Sequence, residues 1–159
     1  KAFDILTTGD AYIAEIDKWY QDNIGTLQIR SGIVEVLDLA KEHGIKQAVV
    51  SNGRAESVMA GLTAKGLIPY FDIILTRSDY TERKPHPEPY LVALDKLGLA
   101  PHEALAIEDD PKGAQSAINA NIPTIHYRYS DDMPPVIEAA YSCYNGVDFI
   151  NYMNKVIHG

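Results

Sequence analysis

Along most of this chain, short unbroken apolar runs alternate with longer stretches whose apolar residues recur at helical spacing. Ser31-Gly32 precedes an amphipathic run, Ile33 through His43, which stops at Gly44 as a helix with a glycine cap would. A short strand over 46–50 follows and ends in Ser51-Asn52-Gly53. The pattern then predicts a helix over about 55–65 stopping at Gly66, a strand over 71–75, and a helix opened by Pro87 that runs to Leu97 and Gly98. A strand over 105–108, a helix over 112–121 and a last core strand over 123–127 complete the alternation. Strands alternating with helices of this kind imply an α/β fold, a Rossmann-like parallel sheet in three layers with right-handed crossovers. Ligands of such sheets bind beyond the carboxyl ends of the strands. Ser51, Lys84 and the Glu108-Asp109 pair all fall at that edge.

The flanks follow other rules. Residues 1–28 read as helical after a turn at Thr8-Gly9-Asp10, with Tyr12, Ile13, Ile16, Trp19, Tyr20 and Ile24 near one face, a stripe suited to packing. After Met133-Pro134-Pro135 the tail predicts a helical patch to Ala140, a loop over 141–146 and a closing helix over about 148–156.

Composition narrows the function. The 159 residues carry a net charge of −8, so no basic face is offered to a nucleic acid, and no membrane partner is expected. The single cysteine, Cys143, has no internal disulfide partner, and with no membrane-length apolar segment a cytoplasmic location is expected. Cys143 sits in the loop-like segment with no acid–base partner suggested nearby, so a catalytic thiol is not expected. The chemistry concentrates in Ile107-Glu108-Asp109-Asp110-Pro111-Lys112-Gly113, an apolar strand delivering three consecutive carboxylates to its tip. Unpaired, such carboxylates repel one another. Either they form a solvated acidic turn, or a cation such as Mg²⁺ sits there, held by carboxylates and substrate phosphate oxygens.

Ser51, Asn52 and Gly53 offer a hydroxyl and free backbone N–H groups at a helix start, a cradle for phosphate as well as a plain turn. Lys84 stands in Arg83-Lys84-Pro85-His86-Pro87-Glu88-Pro89, where three prolines stiffen the loop and fix how the ammonium leaves it. His86 between those prolines reads as a loop hydrogen-bonder rather than a base.

In the order strand-Ser, loop-Lys-Pro, strand-Glu-Asp, the chain resembles the haloacid dehalogenase superfamily of phosphohydrolases. Val49-Val50-Ser51-Asn52-Gly53 is similar to its second motif, Lys84-Pro85-His86-Pro87-Glu88-Pro89-Tyr90 to its third, and the Glu108-Asp109 segment to its fourth. The forms of the third and fourth motifs are similar to those of the subgroup containing phosphoglycolate phosphatases and β-phosphoglucomutase. The resemblance implies that Ser51 and Asn52, with Gly53, hold a phosphoryl group, that Lys84 pairs with it and with a nucleophile, and that Glu108 and Asp109 hold Mg²⁺. Asp110 stands where the subgroup more often has serine, and either approaches the ion or caps the following helix. It implies a Mg²⁺-dependent phosphatase of a small phosphorylated metabolite such as a sugar phosphate or phosphoglycolate.

The family's first motif, an apolar strand ending in Asp-x-Asp, supplies the nucleophile and lies in the middle of the sheet. No such segment exists here; Asp4-Ile5-Leu6-Thr7-Thr8 is the nearest string and has Leu6 in place of the second carboxylate. Residues 1–28 are therefore expected to be the last part of a helical cap in which Asp10, Tyr12, Trp19 and Tyr20 line or pack the cap side. Residues 29–159 are expected to be a core without its first strand. A gap there leaves two strands with unpaired edges. The chain as given is expected to be inactive or nearly so. A non-catalytic protein of the same fold and a β-phosphoglucomutase-like phosphotransferase are the alternatives. A response-regulator receiver places its acids ahead of the hydroxyl and lysine, the reverse of the order here. Oligomeric state stays open.

Overall fold

The computed structural model describes residues 15–159 except Asp17 and Gln21. The Asp4 string, the Thr8-Gly9-Asp10 turn, Tyr12 and Ile13 lie outside the described residues. The described residues between 15 and 23 are helical, and a turn over 24–26 leads into the core.

Helix α1 (Ile33–Glu42) is followed by strand β1 (Ala48–Val50), α2 (Ala55–Ala64), β2 (Ile73–Leu75), α3 (Glu88–Leu97), β3 (Ala106–Glu108), α4 (Pro111–Asn119), β4 (Thr124–Tyr127), β5 (Tyr141–Cys143) and α5 (Gly146–His158). The helix ends follow the punctuation of the sequence. Gly44 and Gly98 take φ of 64° and 68°, the left-handed turn that lets a chain leave a helix without a Cβ clash. Pro87 and Pro111 open α3 and α4, where a missing N–H costs nothing.

All pairing is parallel, and the described strands form two sheets, β1-β2 and β3-β4-β5. Both lie over one helical layer: Val50 of β1 and Ala106 of β3 pack into the same cluster with Tyr90 and Leu94 of α3 and Ala117 of α4. On the other face, Val36 of α1 and Phe149 and Met153 of α5 pack on Ile125, Tyr127 and Cys143. The expected three layers are present, with the sheet layer divided in two.

Two expectations for the tail are corrected. The segment 141–146 is not a loop throughout, since Tyr141–Cys143 forms β5 alongside β4. The helical patch before Ala140 does not form. There Val136 N–H donates to His126 Nδ1 (3.1 Å) and Ala140 N–H to Thr124 O (2.8 Å), so these donors are spent on β4 rather than on a helix. Among the described residues no helix is long and apolar enough to cross a membrane.

Candidate active site

The tips of β1 and β3 meet at one side chain. Lys84 Nζ donates to Val50 O at the end of β1 (2.8 Å) and to Glu108 Oε1 at the end of β3. Both side chains of this ion pair are about nine-tenths buried. A buried pair is tenable only when its remaining lone pairs and protons are also satisfied. Tyr90 supplies that condition, donating its hydroxyl to the same Glu108 oxygen from α3 and lying under the ammonium, with Nζ 5.0 Å from its ring centre. Burial and the Glu108 charge push the Tyr90 phenol well above its ordinary value, which keeps it a donor. Glu108 leaves no room behind it: a methyl group at Gly113 would overlap its carboxylate.

The Ser51 loop is tied to the same cluster by a residue that sequence reasoning missed. Tyr80 donates its hydroxyl to Ser51 O (2.6 Å) and to Asn52 Oδ1 (3.1 Å), and Lys84 N–H reaches the same Asn52 oxygen (3.3 Å). Burial, with the nearby Asp79 charge, pushes the Tyr80 phenol up to about 12. Glu88 anchors the loop from below by accepting from Thr81 N–H (2.9 Å) and Glu82 N–H (2.8 Å), which holds its carboxyl below the usual range. Ser51 Oγ accepts from Gly53 N–H (3.1 Å), closing the turn expected there. His86 Nδ1 accepts from Glu88 N–H (3.2 Å), the local loop bond its setting suggested.

Three neighbouring acids have three different surroundings. Glu108 is buried in its ion pair. Asp109 Oδ2 accepts from the Tyr129 hydroxyl (2.5 Å), a bond that pushes the phenol up to about 12. Asp110 Oδ1 caps α4, accepting from Lys112 N–H (2.8 Å) and Gly113 N–H (3.3 Å). Arg30 braces this side by donating to Tyr127 O (2.5 Å) and Arg128 O, with its guanidinium 3.9 Å from the Tyr127 ring centre and 5.0 Å from that of Tyr129. Tyr129 and Arg30 lie far in sequence from the motifs they support, and no local signal marks them.

Carboxylate oxygens at a strand tip suit a hard cation, so the donor chemistry fits Mg²⁺. Among the described residues no three potential ligand side chains gather, so the set fits an ion that completes its shell with water, phosphate oxygens or a further carboxylate.

Parallel strands in a three-layer α/β arrangement, with a hydroxyl loop, a buried lysine and paired acids at their carboxyl edge, define the class of doubly wound proteins that bind ligands at a sheet edge. The chain belongs to the haloacid dehalogenase-like hydrolase family, whose family model matches residues 2–127. It is 36% identical over 115 residues to a phosphoglycolate phosphatase of Nitrosococcus oceani, covering 70% of this chain and 51% of that protein. It is 38% identical over 78 residues to the pyrophosphatase PpaX of Bacillus pumilus, covering 49% of this chain and 36% of that one. Among solved structures it is similar to CbbY from Rhodobacter sphaeroides in complex with phosphate, with a TM-score of 0.79 and 25% identity over 94% of this chain and 69% of that one. The chain thus spans about half the length, or less, of these two curated relatives.

Proposed function

We propose that the parent protein is a Mg²⁺-dependent phosphatase of a small phosphorylated metabolite, such as a sugar phosphate or phosphoglycolate. The observation that carries this reading is the Lys84 ammonium, held between the tip of β1 and Glu108 of β3, one residue from Ser51 on one side and from Asp109 on the other. Phosphatases among the similar proteins support the substrate class.

In this reading the Ser51 hydroxyl and the backbone N–H of Asn52 hold the phosphoryl oxygens, beside the turn closed by Gly53. Lys84 neutralises charge developing on the transferring group, and its fixed position means that little reorganisation is needed during reaction. Tyr90 and Glu108 orient Lys84, while Tyr80 couples the Lys84 loop to the Ser51 loop. Asp109, directed by Tyr129, and Glu108, directly or through water, would hold Mg²⁺. When bound, the ion would offset phosphate charge and fix its oxygens for in-line displacement. The nucleophile is an aspartate from outside these 159 residues. Its carboxylate attacks phosphorus, the ester oxygen leaves, and water then hydrolyses the aspartyl-phosphate. In this reading the segment before residue 29 belongs to a cap, and residues 29–159 form the core.

The test uses the longer parent chain with p-nitrophenyl phosphate and Mg²⁺. Lys84→Ala is expected to lower kcat by a factor on the order of 10² to 10³. Unchanged turnover would remove Lys84 from the site.

A further inference from the structure

The turn at the tip of β1 spends nearly all of its backbone groups on hydrogen bonds. Ser51 N–H donates to Leu75 O of β2 (2.9 Å), Gly53 N–H donates to Ser51 Oγ (3.1 Å), and Gly53 O accepts from Arg77 N–H (3.0 Å). The Asn52 N–H is left over, with no partner among the described residues. It is also the backbone donor that the phosphatase reading gives to the phosphoryl group, so its direction matters.

Helix and ladder bonds fix peptide directions elsewhere, but the peptide joining Ser51 to Asn52 lies in neither a helix nor a strand. Among the described residues, one group holds it: the Tyr80 hydroxyl donates to Ser51 O (2.6 Å). In a trans peptide the C=O and N–H lie in one plane and point in opposite directions. A donor that grips the Ser51 carbonyl therefore turns the Asn52 N–H to the side away from Tyr80. Without that grip, the peptide gains freedom to rotate about ψ of Ser51 and φ of Asn52, and the N–H turns with it.

Tyr80 is itself secured from both sides. Ahead of it, Asp79 Oδ2 accepts from Thr76 N–H (2.7 Å) and from Thr76 Oγ1 (3.0 Å), closing the turn Arg77–Asp79 on the end of β2. Behind it, the Glu88 carboxylate takes the N–H groups of Thr81 and Glu82. Between these anchors Tyr80 is extended, with φ −151° and ψ 163°. Burial keeps its phenol protonated, so the proton needed for the Ser51 bond is present.

We propose that Tyr80 is a positioning residue for phosphoryl transfer: by holding the Ser51 carbonyl, it aims the Asn52 N–H at the phosphoryl oxygen that gains charge in the transition state. The role rests on the phosphatase reading and names what orients its backbone donor. Its loss falls on kcat rather than on KM, because a misdirected Asn52 N–H still leaves the Ser51 hydroxyl and Lys84 to bind the ground state.

The experiment compares the longer parent chain with its Tyr80→Phe and Tyr80→Leu variants. Phenylalanine keeps the ring of this half-buried residue and removes only the hydroxyl, whereas leucine removes both. With p-nitrophenyl phosphate and Mg²⁺, Tyr80→Phe is expected to lower kcat about 10- to 100-fold with KM within about threefold. Tyr80→Leu is expected to lower kcat no more than about threefold further. In isotope-labelled protein, inorganic phosphate is expected to shift the Asn52 amide proton of the unsubstituted chain, and to shift it less than about half as far in Tyr80→Phe. The amides of the buried Ile125 and Phe149 are expected to keep their positions, reporting an intact fold. The proposal is overturned if Tyr80→Phe turns over as fast as the unsubstituted chain, if its whole loss falls on KM, or if only Tyr80→Leu is impaired, which would assign the effect to packing of the ring. An Asn52 response that is equal in the two proteins also overturns the role of Tyr80 while leaving the phosphatase reading in place. An Asn52 amide that phosphate leaves unmoved in the unsubstituted chain removes that reading, and the role of Tyr80 with it.

Discussion

The two sheets of this protein are built from the same kinds of residue and reach very different degrees of burial. In β4 every residue is buried, and Ile125 and Phe149 are inaccessible to solvent, with the Phe149 ring stacked 4.7 Å from that of Tyr127. In β1, an all-apolar run where β4 carries Thr124 and His126, Ala48, Val49 and Val50 are all half-buried, and the helix that follows buries no residue completely. The difference is one of neighbours. β4 has a strand on each side and helices on both faces, whereas β1, among the described residues, has a strand on one side only. An apolar sequence specifies that a strand is meant to be interior, and only the neighbours determine whether it is.

The strongest way to break this comparison is to truncate one apolar side chain in each half. Phe149→Ala is expected to cost about 3–5 kcal/mol in urea unfolding, while Leu62→Ala, whose side chain borders the cavity, is expected to cost no more than about 1 kcal/mol. Equal costs would mean that the halves are equally packed.

A smaller effect lies in the well-packed half. Asp110→Ala removes the cap of α4 and is expected to lower stability by about 1 kcal/mol, measured by the same unfolding curve.

The smallest expected effect is a pH dependence carried by His126. Burial holds its imidazole below the ordinary value of 6.5, and Nδ1 accepts from Val136 N–H, so the folded chain keeps the ring neutral. Between the folded and unfolded values the unfolded chain binds more protons, so stability is complete above about 6.5 and declines as pH falls below it. The urea midpoint should therefore drop on going from about pH 7.5 to 5.5, and drop less in His126→Gln. Identical drops would assign the dependence to other groups.

Much of this molecule is legible in its residues. Helix ends stand at Gly44 and Gly98 because only the left-handed turn is needed there, and Pro87 and Pro111 mark helix starts. Strand tips are less sharp. The run from Lys46 yields a strand only from Ala48, since Gln47 N–H is taken by the Asp72 carboxylate. β5 was hidden by the turn signal of Asn145-Gly146, although Tyr141 and Cys143 alternate with Ser142 as a strand does. Lys84 and Glu108 were each readable as site residues because stiff prolines and adjacent acids are local features, whereas their ion pair was not, since the resemblance gave Lys84 to a nucleophile and Glu108 to Mg²⁺. Tyr80 and Tyr129 were not, because each acts on a partner 29 and 20 residues away through a contact that only the fold creates.

The central claim is that Ser51, Lys84 and the Glu108-Asp109 pair are one phosphoryl-transfer site whose nucleophile comes from outside the 159 residues. Hydrolysis of p-nitrophenyl phosphate with Mg²⁺ tests it, comparing this chain alone with a longer parent chain carrying an Asp-x-Asp strand. The account predicts turnover by the longer chain and none above buffer by this one. Equal turnover by the two would contradict it.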